Sequence, residues 1–336
     1  MNIGPISPPS PQIGVTEPIM PAYERVKQML FKPFDLAKWF TIGFCAWLAM
    51  LGESGGFNTG YNFNTGNRHN GGSHPAESFR HFYFQARDYV QENFYWIVPV
   101  AIILVLFSLA LWVTLVWLNS RGKFMFLHCV ALNTAEVQVP WQKYAGVANS
   151  LCWFRLGLGL AGMVLMLPLL VLIAVVIVKM IVTGGVNVPA IMLSVGLALV
   201  SLLLALVFGI IRKFLVDFVV PIMFLRGCKC LAAWREFWGL LASRPGQFAL
   251  YLLFQIVLAI AIGTLVIFAV LLTCCIAGCL MALPYLGTVL FLPVLIFQRS
   301  YALYYLAQYG PQYDVFPVPP ASEPPPPPTT LVPLAG

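Results

Sequence analysis

Charged residues are scarce in this chain: Asp, Glu, Lys and Arg make up 9% of its 336 residues, whereas hydrophobic residues make up 60%. Soluble domains carry about 25% charged residues, so this composition could not cover a water-facing surface. The net charge of +7 would suit nucleic acid, but the basic residues lie in short segments beside apolar stretches. That placement is typical of membrane topology and of lipid headgroups. The composition therefore excludes a soluble domain, and we expect no nucleic-acid partner.

Recognisable site chemistry is lacking as well. No G-x-S-x-G, H-E-x-x-H or P-loop pattern occurs, and the eight cysteines do not have the spacing of a zinc site. No acidic, basic or histidine residue lies in the middle of the long apolar stretches, where proton or ion coupling would need one. The sequence therefore predicts no enzyme, no cofactor and no metal site.

Long apolar runs are what the chain does contain. Each long run can cross a hydrocarbon layer of about 30 Å, because a helix rises about 1.5 Å per residue. The runs cover residues 95–118, 156–178, 189–211, 248–272 and 277–298, with a shorter one at residues 36–51. We predict an all-α, polytopic transmembrane helix bundle with six spans and additional interfacial amphipathic helices. Pro293 is expected to kink the last span.

The distribution of Lys and Arg predicts the orientation. With six spans and the N-terminus inside, fifteen of these residues fall in inner segments and four in outer segments. This excess predicts a multi-pass plasma-membrane protein whose two termini are cytoplasmic. If residues 36–51 did not span, the distribution would fall to eleven against eight.

Three regions follow from composition. Residues 1–21 and 311–336 are rich in proline and are predicted to be disordered tails, and residues 22–310 form the six-helix transmembrane domain. Within that domain, the outer segment 52–93 begins with a Gly/Asn-rich stretch. It continues with a predicted amphipathic helix, because Phe79, Phe82, Ala86, Tyr89 and Val90 fall at helical spacing.

Two inner segments share the pattern W-x-x-aromatic-x-G-aliphatic-x-x-S, at residues 141–150 and 234–243. Residues 23–34 are a looser third example. We therefore expect three units, each with an inner amphipathic helix, an outward span and a return. Aromatic residues beside basic ones suit an interfacial helix on an anionic inner leaflet. The candidate interfacial surface consists of Trp141, Lys143, Tyr144, Trp234, Arg235 and Trp238.

Two polar residues lie near the spans. Asp217 follows Arg212 and Lys213 closely, which predicts an ion pair at the inner surface. Gln255 is predicted to make a hydrogen bond between helices rather than to bind a substrate.

The run Phe31-Lys-Pro-Phe-Asp-Leu-Ala-Lys-Trp-Phe-Thr-Ile-Gly-Phe-Cys-Ala-Trp-Leu, with Leu283-Pro-Tyr and Gln298-Arg-Ser-Tyr, resembles a group of uncharacterised prokaryotic multi-pass membrane proteins. More distantly, the chain is similar to the membrane domain found beside glycerophosphodiester phosphodiesterases, whose catalytic domain has no counterpart here. The resemblance covers most of residues 23–310. It implies a six-helix domain in the prokaryotic plasma membrane and no established activity, so no functional residue is carried over.

The function that these observations favour is a non-enzymatic membrane module that organises lipid or protein partners. The alternative is a carrier for a lipidic or apolar small substrate. The lipid bilayer is the expected partner, with a membrane protein or a second copy of the chain as further candidates.

Overall fold

The computed structural model describes residues 13–52, 75–183, 188–273 and 283–316. Every regular element within these four ranges is helical, and none is a strand. A π-helical turn covers Leu215–Val219, and a 3-10 turn covers Pro311–Tyr313. The helices are α1 (Ile19–Leu30), α2 (Leu36–Met50), α3 (Pro75–Glu92), α4 (Phe94–Leu132), α5 (Gln138–Lys143), α6 (Ala145–Thr183), α7 (Val188–Phe214), α8 (Val220–Arg226), α9 (Cys230–Ser243), α10 (Pro245–Leu272), α11 (Pro284–Leu290) and α12 (Leu292–Ala307).

Four helical segments are long and apolar enough to cross a membrane: Phe94–Leu132, Ala145–Val182, Val188–Arg226 and Pro245–Leu272. Their most apolar windows are 0%, 0%, 0% and 6% buried within the protein, so these faces are suited to contact with hydrocarbon. The prediction of an all-α, polytopic membrane protein is confirmed. The count of six spans is not, because only four described helices meet these criteria.

The packed core lies at one end of the long helices. Its buried residues come almost entirely from residues 22–49, 119–152, 214–251 and 289–315. The helix α4 has 39 residues and is about 58 Å long, which is far more than a hydrocarbon layer requires. Its first part is exposed and apolar, whereas residues 119–131 are packed inside the core apart from the half-buried Arg121. We call this end of the protein the packed end.

Helix α2 lies beside the packed part of α4 and runs antiparallel to it. Lys38 Nζ donates to Asn133 Oδ1 over 3.0 Å, and Asn119 Nδ2 donates to the carbonyls of Ala49 and Leu51 over 2.6 and 2.9 Å. Helix α2 has 15 residues, and its C-terminal end lies beside Asn119, at the boundary between the exposed and the packed parts of α4.

Gly122 permits this close approach of α2 and α4. A Cβ atom at Gly122 would lie 2.5 Å from the Ala49 nitrogen and 2.5 Å from the Leu48 carbonyl carbon. Because these are backbone atoms, any side chain here would force the two helices apart.

The last predicted span is divided in the structure. Residues 274–282 lie outside the described ranges, and the helix is interrupted at Phe291 between α11 and α12. Pro293 lies in the first turn of α12, where proline is tolerated because its missing N–H would have no helical partner. In place of the kink predicted at Pro293, the helix is interrupted two residues earlier, at Phe291.

The packed part of the chain extends beyond the predicted boundaries at residues 22 and 310. Gly14 N donates to Gln308 Oε1 over 2.9 Å, and the Tyr301 hydroxyl donates to the Val15 carbonyl over 2.7 Å. The ring of Phe316 stacks on Tyr304 with 4.2 Å between centroids. Disorder of the tails is thus wrong for residues 13–21 and 311–316; residues 1–12 and 317–336 lie outside the described ranges.

The predicted outer amphipathic segment forms the helix α3. The Gly/Asn-rich stretch before it, residues 53–74, lies outside the described ranges. Tyr83, Phe84, Tyr89 and Val90 on α3 are exposed.

Replacing Gly122 with Ala should destabilise the protein by about 1–3 kcal/mol, because the methyl group would overlap the backbone of α2. The measurement is the midpoint of thermal unfolding in mild detergent. Gly146→Ala is the control, since a Cβ atom there meets nothing within 4 Å. Equal midpoints for the two variants would contradict the predicted contact.

Candidate functional site

Seven polar or charged side chains are buried among the described residues, and all lie at the packed end. They belong to the last turns of α4, to the π-helical turn and to α12. We call them the polar core: Asn119, Ser120, Lys123, His128, Asp217, Arg299 and Ser300.

Asp217 is the acidic centre of the polar core. Its Oδ2 atom lies 2.9 Å from Lys213 Nζ and accepts a hydrogen bond of 2.8 Å from the Tyr251 hydroxyl. Lys213 Nζ also donates to Gln255 Oε1 over 3.5 Å. The predicted ion pair of Asp217 is confirmed for Lys213, and so is the interhelical hydrogen bond of Gln255. These contacts connect α7 to α10.

The π-helical turn explains the position of Arg299. In such a turn each carbonyl accepts from the amide five residues later, as Leu215 does from Val220. The corresponding donor for Val216 would be Pro221, which has no N–H. Arg299 Nη1 donates to the Val216 carbonyl over 2.6 Å instead. Arg299 therefore satisfies a buried carbonyl that the local sequence leaves without a backbone donor.

Aromatic rings pack around this turn. The ring of Phe218 stacks on Phe237 at 5.3 Å and meets Phe248 edge-on at 5.3 Å and Tyr251 at 5.0 Å. The hydroxyl of Tyr305 donates to the Gln247 carbonyl over 2.9 Å, and burial raises the pKa of Tyr305, so the hydroxyl stays protonated. The turn that carries Asp217 is thus held by rings from α9, α10 and α12.

A cavity of about 170 Å³ opens beside the polar core. Lys123, Lys213, Asp217 and Arg299 line one side of it, and Ala46, Ala49 and Met50 of α2 line another. The cavity combines charged and apolar walls, and Asp217 is the only acid among the described residues that line it. Such a site can bind and orient a polar group; these lining residues do not provide the pair of acids or the nucleophile and base that hydrolysis needs.

Two further groups of the packed end bear on metal chemistry. Cys45 Sγ and Cys129 Sγ lie 3.9 Å apart, and the Tyr144 hydroxyl lies 3.5 Å from His128 Nδ1. Within the described residues, no group of three or more His, Cys, Asp or Glu side chains is placed to hold a metal ion.

The residues of the predicted interfacial surface that come from the first copy of the repeat do not share one environment. Tyr144 is buried, with its ring stacked on Phe224 at 4.9 Å, so it belongs to the core rather than to a lipid-facing surface. Trp141 is half-buried and contacts Trp117 edge-on at 5.8 Å, whereas Lys143 is exposed. The stripe faces inward because this segment packs between α4 and α8.

The residues from the second copy of the repeat also differ in exposure. Trp234 is half-buried against Phe154 at 5.8 Å, while Arg235 and Trp238 are exposed. The two copies of the repeat are neighbours, because the Cys230 amide donates to Ser150 Oγ over 3.0 Å.

Sequence reasoning missed Lys123 and Arg299 as core residues, because both were assigned to inner segments beside the spans. One signal for Lys123 was its position between Gly122 and the apolar run Phe124–Leu127. The signal for Arg299 was Pro221, which removes a backbone donor inside an apolar helix.

Comparisons with known proteins give one match. A family profile described as "Family of unknown function (DUF7544)" matches residues 15–289. No curated protein and no solved structure matches the chain.

Replacing Tyr251 with Phe should destabilise the protein by about 1.5–3 kcal/mol, since the Asp217 carboxylate loses a buried donor. Tyr304→Phe is the control, because the Tyr304 hydroxyl bonds to no described residue. Thermal unfolding in detergent measures both variants. A Tyr251→Phe midpoint as high as that of Tyr304→Phe would count against the bond.

Arg299→Met should cost less in a Pro221→Ala background than in the natural sequence, by about 1 kcal/mol. The reason is that an alanine in place of the proline would supply an amide for the Val216 carbonyl. A double-mutant cycle on unfolding midpoints measures this coupling. Arg235→Met on exposed α9 is the control and should show none; the same cost of Arg299→Met in both backgrounds would refute the role assigned to Pro221.

Proposed function

The chain belongs to this family of unknown function, DUF7544, and we propose that it is a non-enzymatic membrane module that gathers anionic lipid around one end of its long helices. The observation that carries the proposal is that each of the four long helices has exposed apolar side chains along most of its length and basic side chains toward the packed end.

The basic residues mark the same end of each long helix. Arg121 follows the apolar part of α4, Arg155 precedes that of α6, Lys213 follows that of α7, and Arg244 immediately precedes α10. Contacts tie two of these residues to the neighbouring helices: Arg155 donates to Asn119 on α4, and Lys213 donates to Gln255, 11 residues after Arg244, on α10. Basic side chains gathered at one end of lipid-facing helices attract anionic headgroups, at about 1 kcal/mol per residue near the surface.

Tryptophan accompanies the basic residues at this level. The guanidinium of Arg121 lies 4.6 Å from the ring of Trp117 and 4.7 Å from that of Trp141. Trp153, on α6, is 75% exposed. Tryptophan is enriched where hydrocarbon meets headgroups, because one part of the indole is apolar and its N–H is polar. This supports a headgroup level at the packed end.

We propose that the packed end is cytoplasmic and that the membrane is the plasma membrane. The excess of Lys and Arg on this side is what supports the orientation. Both termini would then be cytoplasmic, with tails outside residues 13–316 and the segment around α3 on the outer face.

Helix α9 extends the proposed lipid contact. Leu231 and Trp238 are 71% and 60% exposed, and Arg235 is exposed on the same helix. Apolar and basic side chains on one exposed helix suit the surface of an anionic leaflet. The exposed members of the predicted interfacial surface, Lys143, Arg235 and Trp238, therefore remain candidates for this role.

One observation favours the alternative of a carrier. The cavity of about 170 Å³ beside the polar core offers space between α2, α4, the π-helical turn and α12. A carrier needs such space to open alternately to two sides. Flux of a lipidic or apolar compound across vesicles that contain the purified protein would support this alternative over the lipid module.

Neutralising three basic residues of the packed end, with Arg121→Gln, Lys143→Gln and Arg235→Gln, should weaken the preference for anionic lipid. The relative association constant of phosphatidylglycerol over phosphatidylcholine should fall about five-fold for each headgroup contact that is lost, since each contributes about 1 kcal/mol. Electron spin resonance with spin-labelled lipids in reconstituted vesicles measures this constant.

The control removes the same number of charges from the other end, with Arg80→Gln, Arg87→Gln and Lys179→Gln. This variant should keep the natural preference. Equal constants for the two lipids in the natural protein, or equal losses in the two triple variants, would sink the proposal.

A further inference from the structure

A second cavity, distinct from the one beside the polar core, lies between α4, α6 and α7. Its volume is about 320 Å³. Trp112, Gly159, Met166 and Phe208 give it apolar walls, and Arg155 and Arg212 line it as well. We call it the amphipathic groove.

The length of the amphipathic groove matches one leaflet. From Arg155 to Met166 the helix α6 rises about 16 Å, which is close to half of a hydrocarbon layer of about 30 Å. Arg155 stands at the start of the apolar part of α6, and Arg212 stands at the end of that of α7. The groove thus runs from the headgroup level toward the middle of the bilayer.

The two arginines give the groove its charge. Arg155 Nη1 donates to Asn119 Oδ1 and, over 3.4 Å, to Ser120 Oγ, so its guanidinium is held in place by α4. Arg212 is exposed and makes no ion pair with any residue of the described ranges. Guanidinium groups match the geometry of phosphate oxygens, which accept two hydrogen bonds from one fork.

Gly159 shapes the apolar wall. A Cβ atom there would lie 2.9 Å from Trp112 Cζ2, so glycine lets the indole rest directly on α6. Gly162, one turn further, would place a Cβ atom 3.7 Å from Phe208, which is an ordinary contact. A larger side chain at Gly162 would therefore fit its backbone and project into the groove.

We infer that the amphipathic groove binds one anionic phospholipid of the leaflet at the packed end, with its phosphate between Arg155 and Arg212 and an acyl chain along α6 toward Met166. Charge complementarity and the match of groove length to one leaflet identify this occupant. The inference rests on the proposed function and deepens it, because it assigns one defined site within the general preference for anionic lipid.

The test uses photo-crosslinking in vesicles that contain the full chain. The probes are phosphatidylglycerol and phosphatidylcholine, each with a diazirine in one acyl chain, and mass spectrometry locates the crosslinks. We expect the phosphatidylglycerol probe to label peptides around Trp112, Met166 and Phe208 about 25-fold more than the phosphatidylcholine probe does, since each of the two arginines contributes about 1 kcal/mol.

Two variants probe the two ends of the site. Gly162→Leu fills the apolar part and should abolish labelling around Met166, whereas Gly196→Leu, where a Cβ atom meets nothing within 4 Å, should leave it unchanged. Arg212→Gln changes an exposed side chain, so the fold is retained, and it should lower the preference for phosphatidylglycerol in the groove about five-fold. Arg235→Gln, outside the groove, is its control.

Each remaining outcome overturns the inference. Labelling spread evenly over the exposed faces of all four long helices would mean that lipid is bound only as an annulus. Equal labelling by both probes would mean that the groove does not select an anionic headgroup. In either case, if the spin-label measurement still shows a preference for phosphatidylglycerol, the proposed function is retained and only the groove is contradicted. If that measurement shows no preference, both the proposed function and the groove are contradicted.

Discussion

The buried carboxylate of Asp217 is the constraint on which the arrangement of the helices depends. It is the one acidic side chain buried among the described residues, and a charge removed from water must be paired and hydrogen-bonded. Lys213 comes from the preceding turn of α7 and Tyr251 from α10, so satisfying the carboxylate fixes α10 against the π-helical turn. Arg299 fixes α12 to the same turn through the Val216 carbonyl. Five residues, Leu215–Val219, thereby set the relative positions of three helices.

The division between exposed helices and a packed end follows from the solvent. Lipid chains are as apolar as leucine, so apolar burial does not drive helices together inside a bilayer. Long apolar helices can remain exposed in lipid, and the apolar windows of the four long helices are almost unburied. Association needs other interactions, and the packed end supplies them as stacked rings, close backbone contact at Gly122 and hydrogen bonds to buried polar groups. The buried charged residues Lys123, Asp217 and Arg299 all lie at that end, where polar partners surround them.

The sequence was sufficient for features that depend on nearby residues or on composition. Apolar length predicted the four long helices, although it also predicted two further spans, and the proximity of Asp217 to Arg212 and Lys213 predicted the ion pair that Lys213 forms. Features that depend on distant packing were not accessible. The inward orientation of Tyr144 is set by Phe224, which lies 80 residues later, and the burial of Arg299 is set by a proline 78 residues earlier. A periodic aromatic stripe indicates that one face of a helix is apolar, but it does not indicate whether protein or lipid covers that face.

The internal repeat predicted from the sequence would bring the residues of the polar core to one place. The order of elements fits three units, each with an inner helix, an outward helix and a return: α1, α2 and α4, then α5, α6 and α7–α8, then α9, α10 and α12. The returning helices contribute Lys123, Asp217 and Arg299, and these three residues line the same cavity. If related units pack side by side, equivalent ends of their returning helices must meet, and polar residues on them must find partners in one another. The second and third units are also in direct contact through α9 and α6, because the Cys230 amide donates to Ser150 Oγ. The partners seen at this place come from several units: Asp217 is paired with Lys213 and Tyr251, and Arg299 donates to the Val216 carbonyl.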